Sequence, residues 1–333
     1  MRLLILTQKV DKRDDVLGFF HRWIIEFAKH SNPLTVVALQ KGVYELPEHV
    51  KVLSLGKERG VSRLRYIINF YYYIWKERKN YDAVFVHMNQ EYVLLGGLLW
   101  RLFGKRIFLW RNHAQGSSLT RLAVFFSHIV FCTSPHSFTA RFKKTHIMPV
   151  GVDTEFFKPN PLIQKKLNSI LFLGRIAPVK NVEMFVEALY ELKKQKVPFL
   201  ATIAGGALPK DILYEKKVRD TIRAYGLEES VVFTGPVLEG QALELYQEHQ
   251  VYVNLTPSGS MDKTIFEAMA CGSSVVALNP VLKDVIQDKL IIKNNKTDIA
   301  IKIQVALRDM ASYRDFVIQN HSLIQLSKRF FKL

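Results

Sequence analysis

Cysteine is scarce in this chain, whose 333 residues include only Cys132 and Cys271. Two cysteines so far apart in sequence are no disulfide framework, which favours a reducing compartment. Long apolar runs are missing too, because the uncharged stretch 92–100 ends at Arg101, far short of the ~20 residues that a membrane-spanning helix needs. The first residues read as a short strand followed by charges and not as a signal peptide. These features predict a cytoplasmic protein.

Metal-binding patterns are also absent from the sequence. There is no Asp-x-Asp triplet and no pair of histidines at the spacing of a zinc site, so we expect neither a metal nor another cofactor. Acidic residues are outnumbered, with 30 Asp and Glu against 47 Lys and Arg and a net charge of +17. A basic surface attracts nucleic acid, anionic lipid or phosphorylated substrates, and charge alone does not choose among them.

What is present is a repeated pattern of a short apolar run, a turn and a helical period. Runs of this length without polar alternation are typical of strands buried on both faces of a parallel sheet. Helical spacing between them, as in 182–192 before Pro198, indicates βαβ units and therefore an α/β fold with doubly wound sheets. The ten runs are 3–6, 35–39, 83–86, 107–110, 129–132, 170–173, 199–204, 231–233, 251–255 and 274–278.

Ten strands are too many for one sheet of this type, and Pro and Gly cluster within 148–161, which predicts an interdomain hinge. Open α/β lobes bind ligands at the carboxyl ends of their strands, so the default site is the crevice between two lobes. The predicted parts are an N-terminal lobe over 1–155, a C-terminal lobe over 156–312 and a final helical segment over 313–333. We expect the final segment to cross back to the first lobe, and the alternative is that it ends on its own lobe.

The first candidate binding segment is 174–181, Gly-Arg-Ile-Ala-Pro-Val-Lys-Asn, which follows a predicted strand and precedes a predicted helix. Gly174 permits a ligand to approach the backbone closely, and Arg175 and Lys180 bracket the turn. Two cations beside a helix N-terminus can hold a diphosphate. The alternative is a surface turn with two solvated cations.

The second candidate segment is 256–272, which follows one predicted strand and precedes another. Main-chain amides near Lys263 and Thr264 would lie at the start of a helix and form an anion site. Glu267 lies one turn further on, where a carboxylate can accept two hydrogen bonds from a ribose diol; the alternative is that it pairs with a nearby cation. The candidate caps of this helix are Ser260 and Asp262 at its start and Gly272 at its end.

Together these segments resemble family 4 of the retaining nucleotide-sugar glycosyltransferases, which have the GT-B fold. The resemblance is strong over 147–280 and weaker over the N-terminal lobe. It implies two Rossmann-like lobes whose parallel sheets face an interlobe cleft, with the sugar donor bound by the C-terminal lobe. The motifs that carry it are GRIAPVKN at 174–181 and SGSMDKTIFEAMACGSSVVA at 258–277, with VGVDTEFFKP at 150–159 and VVFTGPV at 231–237.

The resemblance also implies roles by position. Arg175 and Lys180 would grip the donor diphosphate, and Glu267 would hold the ribose. His113, which follows the run 107–110, would lie beside the transferred sugar and position it, while the leaving phosphate takes the proton of the acceptor. The other implied donor contacts are Gly18, Gly174, Gly235, Pro236, Val237, Asp262, Lys263 and Thr264, and Asn89 and Glu91 would lie on the acceptor side.

One position departs from the family's pattern. The first of the family's two glutamates should precede Glu267 by eight residues, where this chain has Gly259. The missing acid normally contacts the donor sugar, so either Asp262 or Lys263 takes its place or the donor differs. An inactive relative is the remaining alternative.

The segment 57–79 is rich in aromatic and basic residues and reads as a helix with two faces. Its second face would suit an anionic lipid surface, and the alternative is that the aromatic residues pack under a neighbouring loop. Helical spacing puts Val61, Leu64, Ile67, Ile68 and Tyr71 on the apolar face and Tyr66, Phe70 and Tyr73 with Arg59 and Arg63 largely on the other.

The sequence therefore predicts a metal-independent hexosyltransferase with a nucleotide-sugar donor, UDP-linked by commonness in the family. Its acceptor would be a glycan or lipid-linked glycan of cell-envelope polysaccharide synthesis, reached from the inner face of the membrane. A sugar-nucleotide epimerase on the same fold is one alternative. A basic nucleic-acid-binding protein is the other, but we expect no nucleic acid as partner because no recognised binding module is present.

Overall fold

The computed structural model describes residues 1–257, 261–283, 285–286 and 290–333, with the backbone alone at Pro280. The chain forms two compact units, each built on one parallel sheet. Unit 1 comprises Met1–Gly151 and Leu323–Leu333, and unit 2 comprises Val152–Ser322. The predicted α/β class with parallel, doubly wound sheets is confirmed.

The strands of unit 1 are β1 (Leu3–Val10), β2 (Leu34–Lys41), β3 (Val50–Ser54), β4 (Ala83–His87), β5 (Arg106–Trp110), β6 (Ile129–Cys132) and β7 (Thr145–Ile147). Those of unit 2 are β8 (Lys166–Leu173), β9 (Leu200–Ala204), β10 (Val231–Gly235), β11 (His249–Asn254) and β12 (Ser274–Ala277). All ten predicted runs fall on strands. The two that the pattern does not mark, β3 and β7, are short and lie at the edges of their sheet, where burial on both faces is not required.

The helices are α1 (Phe19–Ala28), α2 (Arg63–Lys76), α3 (Glu91–Leu102), α4 (Ser118–Phe126), α5 (Val182–Lys194), α6 (Ile212–Ala224), α7 (Glu239–Glu248), α8 (Lys263–Ala270), α9 (Lys296–Arg308), α10 (Arg314–Asn320) and α11 (Leu323–Phe331). In the described part of the chain, no helix combines the length and the apolar character that crossing a membrane requires.

Strand order places a switch point in each sheet. Unit 1 has the order β3-β2-β1-β4-β5-β6-β7, and unit 2 has the order β10-β9-β8-β11-β12. The order reverses between β1 and β4 in the first sheet and between β8 and β11 in the second. Ligands of such sheets bind beyond the carboxyl ends of the strands at this point. The two candidate segments follow β8 and β11, so both start at the switch point of unit 2.

Both faces of the unit 1 sheet are covered by apolar layers. Alternate residues of β1 serve different layers, with Leu3 and Ile5 in one buried cluster and Leu4 and Leu6 in the other. Helices α1 and α11 cover the first face, and α2, α3 and α4 cover the second. In unit 2, α5 buries the five apolar residues that recur at helical spacing within 182–192, namely Val182, Phe185, Val186, Leu189 and Leu192. The period-3.6 pattern therefore identified the packing face of this helix.

Residues 313–333, which the sequence suggested as one helical segment, contain two helices, α10 and α11. Helix α10 belongs to unit 2, and α11 belongs to unit 1. The ring of Phe330 in α11 packs 4.8 Å from the ring of Phe27 and 5.0 Å from that of Phe85. Because Phe330 and Leu326 are buried, the last helix is part of the core of unit 1.

Helix α2 packs with the face opposite to the one that the sequence suggested. Phe70 and Ile74 are buried, and Tyr66 and Tyr73 pack against the same cluster. The expected core face is exposed instead; its members Leu64, Ile67, Ile68 and Tyr71 are exposed over 66%, 38%, 49% and 36% of their surface. The prediction that Tyr66 and Phe70 meet lipid is therefore wrong. The aromatic rings fill the space between the helix and the sheet, which shorter aliphatic side chains would leave open.

Candidate active site

Three glycine turns lie side by side at the carboxyl edge of the unit 2 sheet. Gly174 follows β8 and donates its N–H to Ala204 O at 2.9 Å, while Gly205 follows β9 and donates to Gly235 O at 2.8 Å. A Cβ at Gly205, whose φ is +133°, would lie 2.0 Å from Gly174 O, so only glycine fits there. Strands β8, β9 and β10 thus end in bare backbone that a ligand can approach closely.

Lys180 ends the short 3₁₀ turn that joins β8 to α5. Its Nζ donates to Thr256 Oγ1 at 2.9 Å and to Asp262 Oδ2 at 2.8 Å, and both acceptors belong to the segment after β11. The next residue, Asn181, adds a second link by donating its Nδ2 to Leu255 O at 3.0 Å. The two candidate segments, far apart in sequence, therefore meet at the switch point of the sheet.

Asp262 occupies the N-cap position of α8, but its carboxylate does not cap the helix. The carboxylate accepts hydrogen bonds from Lys180 Nζ and from Asn254 Nδ2, the latter at 3.3 Å. Burial raises the pKa of this carboxyl, but the charge and hydrogen bond of Lys180, with further hydrogen bonds, outweigh that effect and hold the pKa below its usual value. Asp262 thus holds the predicted cap position, but its side chain makes no cap hydrogen bond and pairs with Lys180 instead. The other predicted cap, Ser260, and the departing position, Gly259, lie outside the described residues.

Arg175 and Lys180, the two predicted clamp residues, have different surroundings. Arg175 is exposed, and within the described ranges its guanidinium has no hydrogen-bond or ion-pair partner. The side chain of Lys180 is 21% exposed and is paired with Asp262. An incoming anion would therefore meet an open cation at Arg175 and a neutralised one at Lys180.

Helix α8 offers main-chain amides at its start, since the first N–H groups of a helix have no intrahelical acceptor. Burial lowers the pKa of Lys263 to about 8, and the negative charge of Glu267 acts in the opposite direction. Thr264 Oγ1 lies 2.9 Å from Tyr252 Oη. Glu267 is only 8% exposed, and its Oε2 accepts a hydrogen bond from Tyr246 Oη at 3.3 Å. The start of the helix thus combines amides and a cation, with a buried carboxylate one turn further on.

The turn predicted to line a base pocket follows β10. Gly235 has a φ of +73°, which favours glycine, and Pro236 is exposed beside it. A Cβ at Gly206 would come within 3.0 Å of the Pro236 ring, so this turn packs on the one after β9. Val237 is half-buried. These residues share the carboxyl edge with Gly174, two strands away.

The predicted acceptor-side residues lie at the carboxyl edge of the unit 1 sheet. His113 follows β5 and is exposed, with its Nδ1 3.0 Å from the main-chain N and O of Gln115. Asn89 and Glu91 follow the neighbouring strand β4 at the start of α3. The residues that the sequence assigned to the sugar and the acceptor therefore share one edge of this sheet.

Gly18 closes a tight turn in unit 1, directly before α1. It donates its N–H to Asp14 O at 3.1 Å, and a Cβ at Gly18 would lie 2.5 Å from the same oxygen. The Asp14 carboxylate in turn accepts from the main-chain N–H groups of Val16 and Leu17. The local geometry of this turn therefore accounts for a glycine at position 18, and its predicted contact with donor phosphates stays a prediction.

Sequence reasoning missed a set of buried polar atoms at the same edge of unit 1. Gln90 Oε1, Arg111 Nε and Thr133 Oγ1 are buried and lack a partner among the described residues. They follow β4, β5 and β6 respectively. Burial lowers the pKa of Arg111, and the charge of Glu91 opposes this effect. Buried polar groups without partners are rare, and a ligand with hydroxyl or anionic groups would satisfy them. The one sequence signal for these residues is their place just after predicted strands.

The fold is doubly wound α/β, and the groups gathered at the switch point of unit 2 make a candidate site for phosphorylated ligands. Cations, helix amides and glycine turns at a switch point are the groups that bind phosphate oxygens. In the part of the chain that the structure describes, no three His, Cys, Asp or Glu side chains are grouped as metal ligands.

Residues 153–322, just over half of the chain, match the model of a protein family described as "Glycosyl transferases group 1". The chain belongs to this family. Among solved structures it is similar over its whole length to HepE from Anabaena in complex with UDP, with a TM-score of 0.79 and 18% identity, covering 99% of that chain. It is also similar to a sucrose-phosphate synthase from Thermosynechococcus elongatus, with a TM-score of 0.75, 16% identity and 98% of that chain covered. The fold is therefore GT-B.

Curated relatives match less than half of this chain. The chain is 25% identical over 146 residues to a D-inositol 3-phosphate glycosyltransferase of Acidothermus cellulolyticus, covering 40% of this chain and 33% of the relative. It is 23% identical over 158 residues to an alpha-monoglucosyldiacylglycerol synthase of Streptococcus pneumoniae, covering 43% and 35%. The match thus spans about a third of the length of these relatives.

Proposed function

We propose that the protein transfers a hexose-type sugar from a nucleoside diphosphate, with uridine as the base, to a hydroxyl group of a glycan or lipid-linked glycan. The observation that carries the proposal is the meeting of the Arg175–Lys180 turn and the start of α8 at the switch point of unit 2. Relatives named glycosyltransferases and a neighbour with bound UDP support this donor class. An acceptor of this kind belongs to cell-envelope polysaccharide synthesis at the cytoplasmic face of the membrane.

The reaction breaks the bond between the anomeric carbon and the phosphate oxygen of the donor and forms a bond from that carbon to the acceptor oxygen. Negative charge grows on the leaving diphosphate as the first bond breaks. Fixed cations and amides that face this charge stabilise the transition state more than the ground state. Arg175, Lys180 and the first amides of α8 are the groups in unit 2 that would do so without a divalent ion.

Retention of the anomeric configuration requires the acceptor to attack from the side that the diphosphate leaves. The departing phosphate oxygen then takes the proton of the acceptor hydroxyl, and the products are the glycoside and the nucleoside diphosphate. His113 would hold the sugar, and Glu267 would hold the ribose. Asn89, Glu91 and the missed residue Arg111 would hold the acceptor through the polar edge of unit 1.

Product analysis is the direct test of this proposal. Purified protein given UDP-sugars and hydroxyl acceptors should release UDP only in step with glycoside formation, and NMR of the product should show the donor's anomeric configuration. The rate should not change in EDTA, because the charges that face the diphosphate belong to the chain. Release of a C2 epimer without a glycoside would assign the protein to the epimerases, and inversion would overturn the retaining mechanism.

Asp262 has a distinct part in donor binding, because the anionic diphosphate must compete with it for Lys180. Like charges that share one cation repel, and at 4 Å and an effective dielectric of 20 the gross interaction is about 4 kcal/mol. We expect Asp262→Asn to bind UDP roughly tenfold more tightly, about 1.4 kcal/mol, by titration calorimetry.

Asp220→Asn is the matched control for this variant. Asp220 lies in the same unit and also pairs with a cation, Arg223, but its side chain is 52% exposed, so its neutralisation should leave UDP affinity unchanged. If Asp262 instead contacts a sugar hydroxyl, Asp262→Asn should bind UDP as the unaltered protein does and lose affinity for the UDP-sugar alone. That result would contradict the competition for Lys180.

A further inference from the structure

Helix α2 has a stripe of apolar residues that is exposed to solvent. Leu64, Ile68, Tyr72 and Trp75 recur at helical spacing, and each is exposed over about half of its surface or more, from 49% for Ile68 to 66% for Leu64. The opposite side of the helix is anchored to the sheet through Phe70 and Ile74. Scattered exposed apolar residues are ordinary, but a stripe of large ones along a helix is not.

The helices that follow continue this stripe on the same side of the sheet. Helices α2, α3 and α4 pack on one face of the unit 1 sheet through a single buried cluster. Tyr71 Oη donates to Leu95 O at 3.0 Å, and the ring of Trp75 lies 5.6 Å from that of Phe103, so α2 adjoins α3. Arg101 of α3 donates to Phe125 O of α4 at 3.0 Å. The outward residues of α3 are Leu95, Leu98 and Leu102, and those of α4 are Leu119, Leu122 and Phe125, all exposed.

We call the outward apolar residues of α2, α3 and α4 the three-helix face. Its members are exposed over 36% to 72% of their surface. Three adjoining stripes form an apolar patch that is far larger than the area of a single exposed residue. Large exposed apolar patches mark contact sites on protein domains.

Along α2, the charges beside the three-helix face are almost all positive. Between Arg59 and Lys79 there are six basic residues and one acid, Glu77. Glu77 is buried and paired with Lys51 at 2.6 Å, so it does not offset the basic rim. Arg78 stacks its guanidinium 4.3 Å from the Trp75 ring, an arrangement that suits a region with one apolar and one polar side.

A basic groove opens within this rim. It has a volume of about 450 Å³, and Arg59, Arg65, Asn69 and Tyr72 are among its lining residues. Ile68 joins the groove to the apolar stripe. Arg59 Nε lies 3.8 Å from Glu58 Oε1, an exposed pair of the kind that contributes little and that a phosphate can compete for. Two arginines in one groove are suited to the phosphate of a lipid headgroup, while the stripe beside them is suited to acyl chains.

We infer that the three-helix face is the surface by which the protein docks on an anionic phospholipid bilayer, with a headgroup phosphate in the groove of Arg59 and Arg65. A second copy of the chain is the other occupant that an apolar patch suggests. Symmetric pairing would, however, set the basic rim against its own copy, and like charges would oppose it. Apolar side chains ringed by Arg, Lys, Tyr and Trp match the boundary between acyl chains and negative headgroups. The docking surface itself does not depend on the proposed function. The proposed function adds only a reason for it, because a lipid-linked acceptor lies in the membrane.

Vesicle co-sedimentation tests the docking surface. The full chain should bind vesicles with about one-third phosphatidylglycerol at least tenfold more tightly than pure phosphatidylcholine vesicles, and high salt should weaken the binding. Leu98→Ser/Leu102→Ser/Phe125→Ser should lower binding to the anionic vesicles tenfold or more, since each loses apolar area that would enter the bilayer. Arg59→Gln/Arg65→Gln should lower it by roughly tenfold and reduce the salt effect.

Leu162→Ser/Leu213→Ser is the matched control, because these leucines of unit 2 are 91% and 81% exposed but lie in another surface. It should bind vesicles as the unaltered protein does. UDP binding should stay within twofold in every variant, so loss of vesicle binding with intact UDP binding separates this inference from the donor chemistry. Unchanged vesicle binding by the triple variant would overturn it, as would a dimer in light scattering that the triple variant dissociates.

Discussion

Lys180→Met should lower kcat/KM for sugar transfer by roughly 10²- to 10³-fold, the usual cost of removing one fixed donor that faces developing charge. The reason lies in the position of Nζ, which the turn after β8 and the segment after β11 hold between Thr256 Oγ1 and Asp262 Oδ2. Methionine keeps the apolar stem and removes the charge. Steady-state kinetics with a UDP-sugar and an acceptor give the measurement, and UDP affinity should fall in parallel.

The same substitution removes the counter-ion of a largely buried carboxylate, which by itself is destabilising. A loss of activity could then come from a damaged fold. Lys180→Met/Asp262→Asn avoids this, because it removes both charges and leaves a neutral amide beside a neutral side chain. We expect the double variant to recover the melting temperature and not the rate. Recovery of both would mean that Lys180 serves the fold and not the diphosphate.

Lys217→Met is the matched control for Lys180. Lys217 also pairs with a carboxylate of unit 2, Glu183 at 2.7 Å, but its side chain is 64% exposed. Exposed pairs of this kind contribute little to stability, so rate and melting temperature should both stay near those of the unaltered protein. A Lys180→Met protein that is folded and turns over at the control's rate would remove the phosphate clamp from the mechanism.

Most strands could be predicted from the sequence because burial on both faces of a sheet requires a continuous run of apolar residues. Runs such as 170–173 and 251–255 are apolar without alternation, and each became a central strand. The edge strand β3 has the pattern Val-Lys-Val-Leu-Ser, in which the exposed Lys51 interrupts the apolar residues, and no continuous run marks it. Edge position alone did not decide the outcome, because the edge strands β10 and β12 carry apolar runs and were predicted, whereas β3 lacks such a run.

The orientation of α2 could not be predicted because both of its faces are apolar. Periodicity identifies a core face only when the opposite face is polar. Here the aliphatic Leu64 and Ile68 compete with the aromatic Tyr66 and Phe70, and tertiary packing selected the aromatic side. Because both faces are apolar, the sequence suggested the wrong face for lipid contact. The face that is exposed in the structure, which includes Leu64 and Ile68, is also apolar.

The candidate site shows a similar division. Arg175 and Lys180 could be singled out because they flank a turn between a strand and a helix. The partner of Lys180 could not, since Asp262 is 82 residues further along and its position suggested a helix cap. Pairwise contacts between distant loops follow from strand order, so the neutralised state of Lys180 appears only in the folded structure.

The second large effect concerns the fold of unit 1, where Phe330→Ala should lower the free energy of unfolding by about 3–5 kcal/mol. Phe330 is 1% exposed, and its ring lies within 5.4 Å of the rings of Phe108 and Phe131 as well as near Phe27 and Phe85. Alanine would leave a cavity among aromatic rings that strands and helices hold in place, so the site cannot collapse around it. The last helix would then be held to the sheet by Leu323 and Leu326 alone among its buried apolar residues.

Tryptophan fluorescence during urea unfolding measures this effect in the full chain, because all four tryptophans, Trp23, Trp75, Trp100 and Trp110, belong to unit 1. Ile324→Ala is the control, since Ile324 lies on the same helix and is 42% exposed; it should shift the free energy by about 0.5 kcal/mol or less. Equal shifts for the two variants would show that α11 rests on unit 1 without stabilising it. A selective loss with Phe330→Ala instead makes the final eleven residues, Leu323–Leu333, an integral layer of a unit that otherwise ends at Gly151. Removal of those residues should then unfold the sheet edge that carries His113 and Arg111, although the end of the chain lies far from both in sequence.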